Sequence, residues 1–218
     1  MLGSTDLCPV CVFAQPYTRL SEYLVACQLK KIAMPTTVAD AFAAAGLARG
    51  GVVRWETMPS PALPGVYIVS LSASADDTDG SRMGAPLARE VFELWLDVRP
   101  ELTLAGTRPT VEQLMDRIRQ FWLNDEVILY IGKATSLSDR VGQYYRTPIG
   151  ARRPHAGGYF LKLLSELDHL WVHYAACNDP STAEDRMLER FCNSVSEASK
   201  CTLLDPAHPF PFANLEWP

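Results

Sequence analysis

The residues best suited to chemistry lie in one stretch, residues 127–160, where tyrosines, arginines and glycines occur close together. The apolar, β-branched run Val127–Ile131 predicts a buried strand, which Gly132 is expected to end. Arg140 and Tyr144 follow at i and i+4, a spacing that stacks a guanidinium group and a phenol on one face of a helix. Such a pair could hold a phosphate group.

Charge also sets this part of the sequence apart. From residue 128 to residue 165, six basic residues face one acidic residue, giving a net charge of +5, while the whole chain carries −5. The basic residues are Lys133, Arg140, Arg146, Arg152, Arg153 and Lys162. A cationic segment in an acidic protein, with tyrosines among its arginines, suits a nucleic-acid backbone. The alternative is a strand-to-helix turn whose basic face is only solvated.

Two tripeptides complete the pattern, Gly65–Tyr67 (Gly-Val-Tyr) and Tyr130–Gly132 (Tyr-Ile-Gly). Lys133 directly follows the second tripeptide, and Arg140 and then Tyr144 come after it at helical spacing. This ordered set resembles the paired motif of the GIY-YIG endonuclease superfamily, in particular the N-terminal nuclease domain of the UvrC excision-repair subunit. A lone Tyr-Ile-Gly would carry little weight, whereas the ordered set is much more specific.

The resemblance implies an α/β (α+β) fold in which helices flank a small mixed three-stranded sheet. Residues 59–218 would form the GIY-YIG-like nuclease domain, and residues 1–58 would be an N-terminal extension with a helix and a short strand. In small relatives a short connection joins the two motif strands, whereas here a long segment separates Tyr67 from Tyr130. We therefore expect a large insertion at about residues 72–125, at a hairpin tip, because loop-closure cost grows slowly with length.

The resemblance also implies a metal-dependent active site. Its catalytic residues would be Tyr67, Tyr130, Arg140 and Glu189, and Glu189 would bind Mg²⁺ or Mn²⁺. The substrate-binding residues would be Lys133, Tyr144, Arg146, Arg152, Arg153, His155 and Asn214, and the motif glycines Gly65 and Gly132. Glu184 and Asp185 compete with Glu189 for the metal, although the helix dipole already explains acids in the first turn of a helix.

These residues could supply what phosphodiester hydrolysis requires. Arg140 offers the scissile phosphate a planar fork that stays charged. Tyr67 would take the proton from the attacking water, and Tyr130 would orient that water or the phosphate. Because a phenol has an ordinary pKa of about 10, we expect Lys133, Arg140 and the metal to favour the phenolate. His155, a histidine in the basic segment, is expected first to bind or position the substrate and only second to act as a catalytic base.

Local signals predict the elements that would position these residues. Strands are expected at residues 52–55, 66–71, 127–131 and 170–175. Helices are expected at 37–46, where Thr37 and Asp40 form the cap, and at 111–122, where Thr110 is the N-cap. Two more are expected at 159–167 and from residue 180, the second with Ser181 and Glu184 as a capping box. A further helix would follow Ser136, capped by Ser136 and Asp139, with Leu137, Val141 and Tyr145 on one face. Residues 90–96 fit a strand or a helix, and residues 205–214 are too rich in proline for either.

Composition restricts the class of protein. Hydrophobic residues make up 48% of the 218, as in folded globular domains, and no apolar run approaches the roughly 20 residues that span a bilayer. The six cysteines are scattered and do not form a secreted disulfide framework, so a reducing, cytoplasmic location is expected. Cys8 and Cys11 form a CxxC without a second pair, which favours a leader or a helix at 18–31 over a zinc site.

The expected function is therefore a metal-dependent endonuclease that hydrolyses DNA, with DNA as its partner and no membrane. A double-strand cut from a single site would need a homodimer or a partner subunit. The main alternative is a non-cleaving nucleic-acid-binding module of the same fold that acts with a partner. A third interpretation is an α/β metabolic or adaptor protein in which Tyr-Ile-Gly-Lys occurs by chance.

Overall fold

A computed structural model shows how the chain arranges these elements, and it describes residues 34–80, 84–151 and 159–214. The chain divides into two compact units, Met1–Lys31 and Ile32–Pro218, and all described residues belong to the second. Several predictions lie outside the described residues: the helix at 18–31, the Cys8 and Cys11 pair, and the substrate-binding roles of Arg152, Arg153 and His155.

Four strands form one sheet: β1 (Gly51–Arg54), β2 (Gly65–Ser70), β3 (Ile128–Ala134) and β4 (Trp171–Ala176). Their order is β1-β4-β2-β3, so the two strands that carry the motif tripeptides are neighbours. The helices of the described residues are α1 (Val38–Ala44), α2 (Arg89–Val98), α3 (Val111–Arg119), α4 (Leu137–Arg146), α5 (Tyr159–Lys162), α6 (Pro180–Ser194) and α7 (Glu197–Lys200), with a 3₁₀ turn at Leu167–His169.

The predicted α+β class is confirmed, but the sheet differs from the mixed, three-stranded sheet that was expected. Each strand pairing is antiparallel, and β1, expected within an N-terminal extension, adds a fourth strand by pairing with β4. Arg54 of β1 lies opposite Trp171, and its guanidinium carbon is 5.7 Å from the centroid of that ring. The expected domain boundary between residues 58 and 59 therefore falls between two strands of one sheet.

The register of β2 and β3 brings the two motif tripeptides side by side. Tyr67 lies opposite Gly132, and Gly65 lies opposite Ala134. The strand β3 consequently continues two residues past Gly132, where the sequence predicted its end. An isolated glycine does not end a strand when the residues on both sides of it have ladder partners.

One face of the sheet packs against the segment predicted as an insertion. Tyr67 and Tyr130 belong to a core cluster that also contains apolar residues of α2 and α3, namely Phe92, Trp95, Leu114 and Ile118. The two helices pack on each other and are connected to the rest of the unit by the Leu87–Leu164 bridge. Residues 72–125 therefore do more than lengthen a loop, because they cover the face from which the motif tyrosines project.

The opposite face packs against α1 and α6. Val66, Ile68 and Ile131 of the strands meet Phe42 of α1 and, from α6, the buried residues Ala183, Met187 and Phe191. The spacing of these helical residues at i, i+4 and i+8 gives one apolar stripe. The helix that carries both candidate glutamates is thereby fixed on the sheet, with one defined side turned inward.

Two predicted helix starts are confirmed in detail. The Thr37 hydroxyl accepts a hydrogen bond from the Asp40 N–H at 2.9 Å, and the Asp40 carboxylate accepts one from the Thr37 N–H. At the start of α3, Thr110 and Gln113 exchange the same two bonds, at 3.2 and 2.8 Å. Such reciprocal bonds satisfy N–H groups that a helix cannot satisfy internally.

The structure also decides or corrects the predicted extents of two other segments. Residues 90–96 are helical, as part of α2, which decides between the two structures expected there. The helix expected over 159–167 ends at Lys162, because Leu164 bridges to Leu87 and the Ser165 N–H donates to the Pro86 carbonyl at 2.7 Å. No helix in the described ranges has the length and apolar composition needed to cross a membrane.

Candidate functional site

A cleft of about 460 Å³ opens at the end of β3, where the first turns of α4 and α6 approach it. Its lining includes Lys133, Ser136, Asp139, Arg140, Gln143 and Ser181. The cleft therefore receives two residues of the predicted site, Lys133 from the strand and Arg140 from the helix.

The proline-rich segment before β2 sets the position of α4. Its carbonyl groups cap the helix, since the Leu137 N–H donates to Leu63 at 3.0 Å and the Ser138 N–H donates to Pro61 at 3.2 Å. Ser136 occupies the N-cap position, but its side chain makes no capping bond, so the predicted cap is wrong in its chemistry. The Ser136 hydroxyl is buried and has no hydrogen-bond partner in the described part of the chain, although the residue lines the cleft.

Aromatic contacts hold the other end of that segment on α4. The Trp55 ring lies 5.4 Å from the Tyr144 ring and 4.8 Å from the Tyr145 ring, measured between centroids. Gly142 leaves space for Met58, whose sulfur would lie 2.8 Å from any Cβ at that position. Tyr144, not the predicted Tyr145, is the phenol that α4 buries fully. The arrangement fixes the rotation of α4 and hence the direction of Arg140.

Three tyrosines contact one another within reach of the Arg140 charge. Tyr67 and Tyr130 have ring centroids 5.6 Å apart, and Tyr130 and Tyr144 have centroids 5.5 Å apart. Tyr67 and Tyr144 are 0% and 1% exposed, whereas Tyr130 retains 8%. A side-chain hydrogen bond joins Tyr67 to Tyr130. Tyr144, predicted to bind substrate, is therefore a packing partner of Tyr130 in this structure.

Burial determines the pKa of these phenols. It raises the pKa of Tyr67 well above its ordinary value, and the neighbouring Tyr130 and Tyr144 raise it further, while the positive charge of Arg140 opposes them. Burial also raises the pKa of Tyr130, and the hydrogen bond from Tyr67 and the charge of Arg140 act in the opposite direction. The expected phenolate is thus not favoured in the free protein, because desolvation outweighs the nearby cation.

Both motif glycines lie where neighbouring groups approach the backbone too closely to leave room for a Cβ. A Cβ on Gly132 would lie 2.5 Å from the Tyr130 ring, which folds over the strand at this point. A Cβ on Gly65 would lie 2.3 Å from the Ala175 carbonyl oxygen and 2.8 Å from a methyl group of Leu137. Glycine at these positions therefore lets the phenol, β4 and α4 pack directly on the two motif strands.

Glu184 supplies a carboxylate that contacts the motif strand β3 through Lys133. Its Oε2 lies 2.7 Å from the Lys133 Nζ, and its side chain is 16% exposed against 47% for that of Lys133. The negative charge of Glu184 contributes to the raised pKa of Tyr130, and its contact with Lys133 raises the pKa of the lysine. Glu184 is free to make this pair because the N-cap of α6 is Asp179, whose carboxylate accepts from the Thr182 N–H at 3.1 Å. The predicted capping box of Ser181 and Glu184 is therefore wrong.

Glu189, the expected metal ligand, lies elsewhere on the same helix. It is exposed, whereas the stripe that faces the sheet contains Ala183, Met187 and Phe191. Five residues along a helix correspond to a rotation of about 140° beyond one full turn, so Glu184 and Glu189 point in different directions. The acid that sequence reasoning set aside is the one that contacts Lys133. The helical stripe is the signal that could have separated them, because Glu184 directly follows the buried Ala183 whereas Glu189 lies on the far side of the helix.

Asn214 binds the backbone of the motif strand. Its amide oxygen accepts from the Ile131 N–H at 2.8 Å, and its amide nitrogen donates to the Ile131 carbonyl at 2.7 Å. The Ala213 N–H also donates to the Leu129 carbonyl at 2.8 Å. Asn214 thus replaces a neighbouring strand at the edge of β3 and holds the strand in place, while its expected role in substrate binding stays a prediction. Arg146 lies exposed in the last turn of α4.

The donor set at the cleft fits a hard divalent cation with few protein ligands. Within the described ranges, no three acidic, histidine or cysteine side chains converge as a complete metal cage. Mg²⁺ retains several waters and is often bound through one or two carboxylates together with phosphate oxygens of a substrate. A single carboxylate such as Glu184, beside an open cleft with two cationic side chains, meets that requirement.

Comparisons of the chain with protein-family models, with curated proteins and with solved structures found no match. What the cleft can do is therefore inferred from its residues and their geometry.

Proposed function

We propose that the protein is a metal-dependent endonuclease that hydrolyses DNA phosphodiester bonds at the cleft beside β3. One observation supports this function above the others: Lys133 and Glu184 pair at the end of the strand that carries Tyr130, and Arg140 lines the same cleft. Cations, a carboxylate and hydrogen-bonded phenols correspond to the needs of the reaction, which are to hold a phosphate, to hold a metal ion and to move a proton.

The substrate phosphate would be held from α4 and β3. Arg140 presents a guanidinium group, which matches two phosphate oxygens at once, and Lys133 contributes a mobile point charge to the same cleft. The whole chain has a net charge of −5, so Lys133 and Arg140 are cations in an acidic protein. The attraction for a polyanion is therefore local to the cleft.

The hydrogen bond between Tyr67 and Tyr130 indicates which phenol accepts the proton of the attacking water. Tyr67 is completely buried and is the harder to ionise, so it keeps its proton and donates to the Tyr130 oxygen. A donated hydrogen bond stabilises an anion. We therefore assign the base to Tyr130 and a positioning role to Tyr67, which reverses the roles expected from the resemblance. The charge of Glu184 opposes ionisation of Tyr130, and this opposition disappears when a cation neutralises the carboxylate.

Glu184, in place of Glu189, is the residue that would bind Mg²⁺ or Mn²⁺. Its carboxylate is mostly withdrawn from solvent, and the sheet-facing residues of α6 on either side of it hold the helix in position. When bound, the ion would stabilise the negative charge that develops on the phosphate during hydrolysis.

A nicking assay with matched glutamate variants tests this function. Supercoiled plasmid is incubated with the protein in Mg²⁺ or in EDTA, and nicked product is measured for wild type, Glu184→Gln and Glu189→Gln. We expect nicking only with Mg²⁺, a loss of about a hundredfold or more in Glu184→Gln, and nearly unchanged activity in Glu189→Gln. Because both variants remove one charge from the same helix, a larger loss in Glu189→Gln would refute the assignment of Glu184.

The same phenols support a second candidate, a nucleic-acid-binding module that does not cleave. Tyr67 and Tyr130 both have raised pKa values in the free protein, as would be expected where no base is needed. This candidate predicts duplex binding that weakens steeply with salt but no nicking in Mg²⁺. Absence of any salt-dependent binding would argue against both candidates and for a protein that does not act on nucleic acid.

A further inference from the structure

The ion pair between Lys133 and Glu184 occupies the carboxylate that the proposed function needs for a metal ion. The Lys133 Nζ lies 2.7 Å from Oε2 of Glu184, within direct hydrogen-bond distance. Lys133 is the more exposed partner and has a long flexible stem, whereas Glu184 is mostly buried on a helix fixed against the sheet. The lysine is thus the partner that can move.

A divalent cation and an ammonium group cannot both take the same carboxylate without repulsion between the two cations. For an ion to bind Glu184, the Lys133 ammonium group has to leave, and it then lies beside a cleft that already contains Arg140. An unpaired lysine next to another cation is unfavourable unless an anion enters the cleft. A phosphate group supplies that anion and binds the ammonium group directly.

We propose that Lys133 exchanges partners during binding: it holds Glu184 in the free protein, and it moves to a substrate phosphate when a divalent cation takes its place. This inference rests on the proposed function, since it requires Glu184 to be the metal ligand. The consequence is positive coupling between the metal ion and nucleic acid, because each removes the cost that the other would meet alone. By reciprocity, each raises the affinity of the other by the same factor.

Mn²⁺ affinity provides the test without any measurement of cleavage. Free Mn²⁺ is followed by electron paramagnetic resonance in titrations with and without a DNA duplex whose phosphorothioate linkages resist hydrolysis. The proteins are wild type, Lys133→Met, Glu184→Gln and Arg186→Gln. Arg186 is exposed on the same helix, two residues from Glu184, so its variant reports the effect of removing a positive charge without breaking the pair.

Without DNA, we expect Lys133→Met to bind Mn²⁺ about tenfold more tightly than wild type, and Arg186→Gln to change by less than about twofold. Addition of the duplex should raise the Mn²⁺ affinity of wild type about tenfold and that of Lys133→Met by less than about twofold. Unchanged affinity in Lys133→Met, or equal coupling in both proteins, would overturn the exchange of partners while leaving the metal site intact. Equal Mn²⁺ binding by wild type and Glu184→Gln would instead overturn the proposed metal site.

Duplex affinity in EDTA and in Mn²⁺ gives a second, independent measurement. Fluorescence anisotropy of the labelled phosphorothioate duplex should show nearly the same affinity for wild type and Lys133→Met in EDTA, since Lys133 is then held by Glu184. In Mn²⁺ the variant should bind the duplex about tenfold more weakly than wild type. A loss of the same size under both conditions would mean that Lys133 contacts phosphate at all times, which contradicts the exchange.

Discussion

Replacing Glu126 by glutamine should stabilise the protein in a manner that depends on pH. Glu126 directly precedes β3, its side chain is 1% exposed, and neither carboxylate oxygen has a hydrogen-bond partner among the described residues. Burial and the adjacent charge of Asp125 raise the pKa of Glu126 from 4.5 to about 8. The carboxyl group is consequently protonated in the folded protein at neutral pH, although it ionises near its ordinary value once the chain unfolds.

The sign and size of the effect follow from linkage. Because the pKa is higher in the folded state, the folded protein keeps a proton that the unfolded chain releases, so rising pH lowers the free energy of unfolding between the two values. Each pH unit in that window corresponds to about 1.4 kcal/mol. Wild type therefore loses about 3 kcal/mol between pH 4.5 and 7, and about 4 kcal/mol by pH 8. Glu126→Gln carries no titrating group and does not incur this loss.

Urea unfolding of wild type and Glu126→Gln at pH 5, 7 and 8.5 measures the effect, with Glu189→Gln as a control that removes an exposed carboxylate. The stability difference between Glu126→Gln and wild type should increase at each step of pH, by about 1.4 kcal/mol per unit up to pH 8. A difference that is the same at all three pH values would refute the reasoning, because a change in packing alone does not depend on proton binding.

Three further results are expected. Tyr67→Phe should reduce nicking far more than the control Tyr174→Phe, because the Tyr67 hydroxyl is hydrogen-bonded to Tyr130 whereas Tyr174 is only the residue opposite Tyr67 on β4. Equal losses would mean that the hydrogen bond between Tyr67 and Tyr130 has no role. Gly132→Ala should lower the melting temperature, because the new Cβ would collide with the Tyr130 ring. The same substitution in a Tyr130→Ala background should lower the melting temperature less. An unchanged melting temperature in Gly132→Ala would contradict the close contact. Asn214→Asp should lower the unfolding free energy in urea by about 1–3 kcal/mol, because a carboxylate cannot donate to the strand carbonyl, and no change would show that the edge does not need the amide.

Local signals predicted the elements that position the cleft. The apolar runs around Tyr67 and Tyr130 are neighbouring strands, and the capping residues Thr37 and Thr110 start helices. These features depend on residues close together in the sequence, where backbone hydrogen bonds and side-chain spacing decide the structure. The fourth strand was recognised as a short strand but not as part of the sheet, since its pairing with β4 joins residues more than a hundred positions apart.

The ion pair between Glu184 and Lys133 required the folded structure. The apolar stripe of α6 is visible in the sequence, and Glu184 lies next to it whereas Glu189 lies on the far side of the helix. Only the position of Lys133, at the end of a strand that ran longer than expected, brings one of them into an ion pair. The burial of Tyr67 was equally hidden, because it depends on residues that α2 and α3 contribute from the predicted insertion.

The amide of Asn214 joins one of the last described positions to the strand that carries Tyr130. Because one side chain supplies both hydrogen bonds to Ile131, the two form and break together, and a single substitution at this position removes both contacts from the outer edge of β3. Hydrogen exchange at the Ile131 amide therefore reports whether the tail is docked on the strand, since the only acceptor for that amide among the described residues is the Asn214 side chain.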